Sequence, residues 1–370
     1  MNEFTLLDFL PEEEAQKHRP IKSTDWKWSF ADYPKEKNGL KVFSCFACGG
    51  GSTMGYKLAG CEVLGCCEID PKMNEVYIKN HNPKYNFLMD IRKFNEIPND
   101  ELPEKLFNLD ILDGSPPCTT FSMAGVREES WGKKKKFREG QAEQTLDDLA
   151  FVFIETVAKL KPKVMIMENV EGLLLGEAWS YVQRIYKELN AIGYQVKHWL
   201  CKGENMGVPQ TRHRVFFIAL RSDINFNLEY LDMSFNYESI TYGQIKEGIG
   251  PVNKDAQYYY IMQNAIRTDS NLRDTRVRIG LSDAQFNCMY CWEDEIVPTL
   301  AAKHEYYDPV EKTKISGESI RNASTFPQDY DFLSDLAGNW CYICGMSVPP
   351  IMIKRIVTRL IETGVFDYEK

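Results

Sequence analysis

Several things are missing from this chain, and each absence narrows what it can be. No apolar run in the 370 residues is long enough to span a bilayer as a helix. The opening stretch MNEFTLLDFLPEEEAQKH has no basic region ahead of an apolar one. The expected setting is therefore the cytoplasm, with no membrane partner. Positive charge is in deficit, with 44 Lys and Arg against 53 Asp and Glu for a net charge of −9. That argues against indiscriminate binding to polyanions, so any nucleic-acid contact must come from local patches. An even cysteine count is also missing: there are 11. A complete disulfide framework is excluded, and reduced thiols are expected.

Two basic patches are present. Trp131 to Arg138 reads WGKKKKFR, and Arg267, Arg273, Arg276 and Arg278 cluster further on, diluted by Asp269 and Asp274. A charge run is more often a solvated face than a phosphate contact. Hydrophobic residues make up 44% of the chain, enough for one large domain or a catalytic domain with a smaller companion. Residues 1–38 are acidic, then aromatic (Trp26, Trp28, Phe30, Tyr33), and read as an arm packed on the main body.

From residue 39 to 220 short apolar runs alternate with helical patterns, the mark of an α/β fold. A strand over Lys41–Cys45 runs into Phe46-Ala47-Cys48-Gly49-Gly50-Gly51 and then a helix. A glycine-rich turn between strand and helix lets backbone approach a ligand, although many such turns are only tight turns. The next strand, Glu62–Cys67, ends in Glu68-Ile69-Asp70, and a third ends at Leu88-Met89-Asp90-Ile91. Acids at these strand ends are placed to accept hydrogen bonds from ribose or base, or are plain solvated carboxylates.

The stretch Asp110 to Gly125 organises the rest. An apolar strand closes at Leu112, Asp113-Gly114 is expected to break it, and Pro116-Pro117 stiffens the loop that presents Cys118. A thiol there is a nucleophile or a buried structural cysteine. Lys163–Met167 is a strand delivering Glu168-Asn169-Val170, and Gly207-Val-Pro-Gln-Thr-Arg-His-Arg214 leads into Val215–Leu220. Arg212 and Arg214 are two apart, so on extended chain they share a side and read as an anion or carbonyl clamp, or as salt-bridge partners. The alternation stops near Arg221 and pattern returns only toward the C-terminus.

These motifs together resemble the DNA cytosine-5 methyltransferases, over nearly everything from Val42 onward. Phe46 to Gly55 looks like their S-adenosylmethionine (SAM) loop. Glu68 matches the ribose acid and Asp90 the adenine acid. Pro117-Cys118 matches the catalytic Pro-Cys, Glu168-Asn169-Val170 the Glu-Asn-Val motif, and Gln210, Arg212 and Arg214 the Gln-x-Arg-x-Arg motif. Gly345, Ser347 and Val348 fall on the last motif. Cys48, Thr119 and Met346 depart from the usual Gly, Gln and Asn.

The resemblance implies a Rossmann-like SAM-dependent methyltransferase sheet with helices on both faces, plus a smaller inserted target-recognition domain. On this reading residues 1–38 are the arm, 39–220 the catalytic domain, 221–314 the target-recognition region, and 315–370 a return to the catalytic domain. It implies Cys118, Glu168, Arg212 and Arg214 as catalytic residues. Phe46, Ala47, Gly49, Gly50, Gly51, Glu68, Ile69, Asp90, Ile91, Pro117, Ser347 and Val348 would hold SAM. The reaction implied is methylation of C5 of a flipped cytosine in a specific double-stranded DNA site, through a covalent Cys118–C6 adduct. A monomer is expected, with a cognate restriction endonuclease as the natural partner and no metal.

Competing readings are a tRNA cytosine-5 methyltransferase and a catalytically silent DNA-binding homologue. A four-thiolate zinc site from Cys288, Cys291, Cys341 and Cys344 is set against plain apolar packing of those pairs. Arg267, Asn271, Arg273, Arg276 and Arg278 are of the types that read base edges, and at least one of Arg273, Arg276 and Arg278 is expected to do so.

Overall fold

The computed structural model describes residues 19–117 and 149–367. Cys118, the basic patch Trp131–Arg138 and the rest of 118–148 lie outside the described residues, as do 1–18 and 368–370. The first half alternates as follows: β1 (Lys41–Cys45), α1 (Gly51–Leu58), β2 (Glu62–Glu68), α2 (Pro71–His81), β3 (Tyr85–Leu88), α3 (Ile91–Glu96), β4 (Ile111–Gly114), α4 (Leu149–Leu160), β5 (Val164–Val170), α5 (Trp179–Ala191), β6 (Tyr194–Lys202) and β7 (His213–Arg221). The second half carries α6 (Tyr242–Ile245), α7 (Gln257–Met262), α8 (Leu272–Arg278), β8 (Cys288–Tyr290), β9 (Glu305–Asp308), β10 (Thr313–Lys314), α9 (Gly317–Ala323), α10 (Ala337–Met346) and α11 (Pro350–Glu362).

Seven strands form one sheet in the order β3-β2-β1-β4-β5-β7-β6. All pairings are parallel except those of β7, which runs antiparallel to both β5 and β6. Strand side chains alternate between two packed faces. Val42, Ile111, Val164, Ile166, Phe216 and Ile218 face α1 and α11. Phe43, Leu112, Met165, Met167 and Phe217 face α3, α4 and α5. Covering both faces explains why these strands read as near-continuous apolar runs. α11 buries Ile351, Met352, Ile353, Ile356, Val357 and Leu360, each contributing roughly 1.5–3 kcal/mol relative to exposure. A Cβ on Gly55 would sit 2.5 Å from both Ile353 Cβ and the Pro350 carbonyl, so glycine is what lets α1 and α11 approach so closely.

The chain moves outward from β1 to β2 and β3, then returns to β4 on the other side. The crevice between the carboxyl ends of β1 and β4 is thus the topological switch point, where open α/β sheets bind ligands.

Three details differ from the sequence expectations. Asp113-Gly114 does not break β4: both residues are buried strand positions. Asp113 is tolerated because Ser44 Oγ and Tyr56 Oη donate to its carboxylate at 2.6 and 3.0 Å. Glu168 lies within β5 rather than beyond it. β3 ends at Leu88, and Asp90 caps α3 by accepting from the Arg92 backbone N–H at 2.9 Å.

The region from 221 to 314 is not one separate body. Leu228, Leu231, Met233, Ile240, Tyr242, Ile245, Val297, Leu300 and Tyr306 belong to the large core. A second core is confined to Ile261, Met262, Leu272, Cys288, Tyr290 and Tyr307, over the three-stranded sheet β10-β9-β8. The composition change near 221 marks the end of α/β alternation, not the edge of the core. In the described part of the N-terminal arm, Trp28 is buried and Asp25 is paired to Lys354 and Arg355 of α11 at 2.6 and 2.7 Å. Among the described residues no helix is long and apolar enough to cross a membrane.

Candidate functional site

The turn after β1 is tightly folded. Phe46 (φ 57°), Cys48 (φ 46°) and Gly50 (φ 84°) all adopt left-handed backbone. For the two non-glycine residues this costs of order 1–3 kcal/mol each, and such strain persists only where surrounding contacts over-determine it. Those contacts are present. Glu68 accepts from the backbone N–H groups of Cys48 (2.7 Å), Ile69 (2.8 Å) and Asp70 (2.8 Å). The Gly49 carbonyl accepts from Tyr330 Oη at 2.6 Å and lies 3.2 Å from His81 Nε2. Burial raises the Glu68 carboxyl above its ordinary pKa, against the three N–H donors that favour the anion.

Beside this turn opens a cleft with about 740 Å³ of empty volume. Of the residues expected to hold a cofactor, Phe46, Glu68, Ile69, Asp90, Ile91 and Pro117 line it. Gly49, Gly50 and Gly51 shape the turn behind. Ser347 and Val348 pack against Gly51, where a Cβ would collide with the Val348 carbonyl and approach Ser347 Cβ to 2.9 Å. Cys48, noted in the sequence only as a departure within the loop, is a further wall, and the others were not assigned to the cofactor: Cys67, Asp70, Met73, Met89, Ser115 and Leu149, with Tyr342 and Met346 from α10. Only the departure at Met346 offered a signal for that last wall.

At the carboxyl end of β5, Arg214 Nε lies 2.8 Å from Glu168 Oε1, and both residues are largely buried. The pair forms because Val170 pairs with Arg214 across the β5–β7 ladder, which aligns the start of β7 with the end of β5. Next along β5, Asn169 Nδ2 donates to the Pro116 carbonyl at 3.3 Å, tying this strand end to the loop whose Pro117 lines the cleft. Arg212 is close to Arg214 but differently engaged. Its Nη1 donates to the Leu300 carbonyl (3.0 Å) and its Nη2 to that of Gly345 (3.2 Å). The two guanidiniums are thus engaged differently: Arg214 pairs with Glu168, while Arg212 fastens two backbone segments. Residue spacing could not separate them, because the carbonyls that take Arg212 lie 88 and 133 residues away.

Two buried groups give the site an opposing pH dependence. Burial, aided by the nearby Lys57 charge, lowers His81 to about 3. Between that value and the ordinary one near 6.5 the folded protein binds fewer protons there than the unfolded chain, so this contribution to stability is lost as pH falls. Burial raises Asp113 to about 7, partly offset by Ser44 and Tyr56 and reinforced by Glu168. Its sign is opposite: the folded state holds the proton, and stability is lost as pH rises from about 4 to 7. Urea midpoints from pH 7 to 5 are expected to fall more steeply for Asp113→Asn than for wild type, and less steeply for His81→Gln. Each difference approaches about 1 kcal/mol per pH unit. Parallel profiles for all three proteins would refute both assignments.

The arginines expected to read bases are mostly bound within the smaller region. Arg278 pairs with Asp269 at 2.6 Å and donates to the Asn264 carbonyl. Arg276 is buried and holds the Ser282 carbonyl (3.0 Å), Ser282 Oγ (2.6 Å) and Gln285 (3.3 Å). Arg267 pairs with Asp294 and Glu295 at 2.9 and 2.6 Å. Asn271 caps α8 through the Asp274 N–H. Arg273 is exposed and paired with Asp283. Arg276→Ala is therefore expected to lower stability by about 2 kcal/mol through lost hydrogen bonds, read from its melting curve. Arg273→Ala should leave the melting temperature unchanged, and of Arg273, Arg276 and Arg278 it is the one substitution expected to shift sequence preference on a randomised-site library. A lowered melting temperature for Arg273→Ala with intact preference would reverse that assignment.

Among the described residues no group of three or more His, Cys, Asp or Glu is arranged to hold a metal ion. Cys288, Cys291, Cys341 and Cys344 are buried free thiols whose pKa values burial pushes up.

Comparisons with known proteins bear on the family and the fold. A family model for C-5 cytosine-specific DNA methylases matches residues 40–362. The Type II methyltransferase M.FnuDI of Fusobacterium nucleatum is 34% identical over 193 residues, 52% of this chain and 50% of that protein. The Type II methyltransferase M.Bsp6I of a Bacillus species is 26% identical over 338 residues, 88% of this chain and 99% of that protein. The chain spans about half the length of several curated relatives it matches, M.FnuDI and M.NgoPII of Neisseria gonorrhoeae among them. Among solved structures, an E. coli prophage protein described as a DNA modification methyltransferase superposes with a TM-score of 0.62 at 18% identity, covering 88% of this chain and 99% of that one. Spodoptera frugiperda DNMT2 does so at 0.60 and 15%, covering 87% and 100%. These two likenesses concern the fold. With a family match running from β1 to the end of α11, this chain belongs to the C-5 cytosine-specific DNA methylase family.

Proposed function

We propose that this protein transfers a methyl group from S-adenosylmethionine to C5 of a cytosine flipped out of a specific site in double-stranded DNA. The observation that carries the reading is the continuity of the site. The Glu168–Arg214 pair is followed by Asn169, Asn169 holds Pro116, and Pro117 lines the cleft directly before Cys118 in the chain. The cleft suits SAM in its lining, with carboxylates at Glu68 and Asp90 for hydroxyl and amino groups and apolar walls from Phe46, Ile69 and Ile91. When bound, SAM supplies an electrophilic methyl group.

The chain's own residues make the base reactive. C5 of cytosine is a weak nucleophile. Addition of the Cys118 thiolate to C6 forms an S–C6 bond and moves electron density to C5 and N3. Glu168 protonates or hydrogen-bonds N3, and Arg214 holds both Glu168 and the exocyclic carbonyl oxygen on C2. Arg212 keeps the β7 entry in place. After methylation a base removes the C5 proton, the S–C6 bond breaks, Cys118 leaves as thiolate, and N3 gives its proton back to Glu168. Chemistry at the base interior requires flipping.

The family match and the relatives named as Type II methyltransferases support duplex DNA as substrate. The test offers radiolabelled methyl donor with duplex DNA and, separately, with tRNA. Label in DNA at 5-methylcytosine is expected. Label in tRNA alone would replace this reading with the RNA one.

A further inference from the structure

The strained turn at Phe46–Gly50 is held from behind by an element outside the matched family region of residues 40–362. We propose that the N-terminal segment 26–33 is a brace for the cofactor turn, with Phe30 as the positioning residue that sets SAM affinity.

The turn's Gly49 carbonyl is gripped by the Tyr330 hydroxyl and the His81 imidazole, 281 and 32 residues away. Gly50 lies directly beneath the His81 ring, where any Cβ would overlap it. Neither side chain is held by its own element alone. The Phe30 ring stands edge-on to His81 at 6.3 Å between centroids and tilted to Tyr330 at 6.4 Å. Tyr33 lies 5.7 Å behind Phe30, and Trp28 packs on both, at 6.1 and 5.5 Å. The segment is itself anchored to the polypeptide around Tyr330. Trp28 Nε1 donates to the Thr325 carbonyl (2.8 Å), the Gln328 N–H to the Trp28 carbonyl (2.7 Å), and the Phe30 N–H to Asp329 (3.0 Å). A backbone with two non-glycine residues in the left-handed region holds its shape only while its neighbours impose it. Removing the ring that presses on both neighbours releases the turn, while the Glu168–Arg214 pair on β5 and β7 makes none of these contacts.

This inference rests on SAM occupying the cleft. The experiment measures SAM binding by calorimetry and steady-state kinetics on the full chain for wild type, Phe30→Ala, Phe30→Tyr and Ile21→Ala. Ile21 belongs to the same arm but pairs with the backbone at Asn236, away from the turn. Phe30→Ala should weaken SAM and raise its KM by about tenfold, with kcat at saturating SAM and duplex-DNA affinity preserved. Phe30→Tyr should restore binding, and Ile21→Ala should match wild type. Should Phe30→Ala fold poorly, Phe30→Leu, which keeps the bulk but not the ring, must still show a raised KM for SAM. Unchanged SAM affinity in both Ala and Leu variants, or an equal loss with Ile21→Ala, overturns the brace. Wild-type protein that binds neither SAM nor its demethylated product overturns the proposed function and the brace together.

Discussion

Cys118→Ser protein is expected to bind SAM and duplex DNA and to transfer no measurable methyl. Addition to C6 needs an anionic nucleophile. A cysteine thiol near pH 7 is a few per cent ionised even when unperturbed, whereas a serine hydroxyl is not ionised at all. The chain delivers this residue immediately after Pro116-Pro117, whose carbonyl at 116 is held by Asn169 and whose second ring lines the cleft. A loss of at least about 10³-fold in kcat is expected from removing a covalent nucleophile, and the KM for SAM should not move. Turnover within tenfold of wild type would remove Cys118 from the mechanism.

Glu168 and Arg214 are expected to fail together. Glu168→Gln keeps the shape of the side chain but cannot deliver a proton to N3. A loss of about 10²–10⁴-fold in kcat is expected, typical of a general acid. Arg214→Met removes the partner 2.8 Å from Glu168 and leaves a carboxylate in a site that is largely buried. That loss includes a stability penalty, since breaking a buried pair from one side costs about 3–5 kcal/mol. The double variant Glu168→Gln, Arg214→Met should be little worse in kcat than the poorer single variant, because the two residues act as a unit. Fully multiplicative losses would mean that they contribute to separate steps.

The sheet was legible wherever the chain advertises itself locally. Buried parallel strands read as apolar runs, and the glycines after β1 and the prolines before residue 118 mark turns through backbone restriction alone. What could not be read is what folding brings from afar. The carbonyls that occupy Arg212, the Pro116 carbonyl that takes Asn169, and the Tyr330 hydroxyl on Gly49 are all contacts across tens to hundreds of residues. Asp113 looked like a strand breaker because nothing in its neighbourhood reveals Ser44 and Tyr56 as donors. The arginines of α8 looked like base readers for a related reason. Residue type limits what a guanidinium can bind, but only the fold shows that Arg276 and Arg278 are already bound to their own domain.

The central claim is attack of Cys118 on C6 of a flipped cytosine in DNA. Its most direct measurement uses duplex DNA carrying 5-fluorocytosine at the methylated position. Fluorine in place of the C5 hydrogen blocks the final deprotonation, so the S–C6 bond cannot be broken once the methyl is in place. In the presence of SAM, a protein–DNA adduct that survives denaturation is expected, and mass spectrometry of the digested complex should locate it on the peptide containing Cys118. An adduct on any other residue, or methyl transfer to ordinary duplex DNA with no adduct on the fluorinated duplex, would contradict the account.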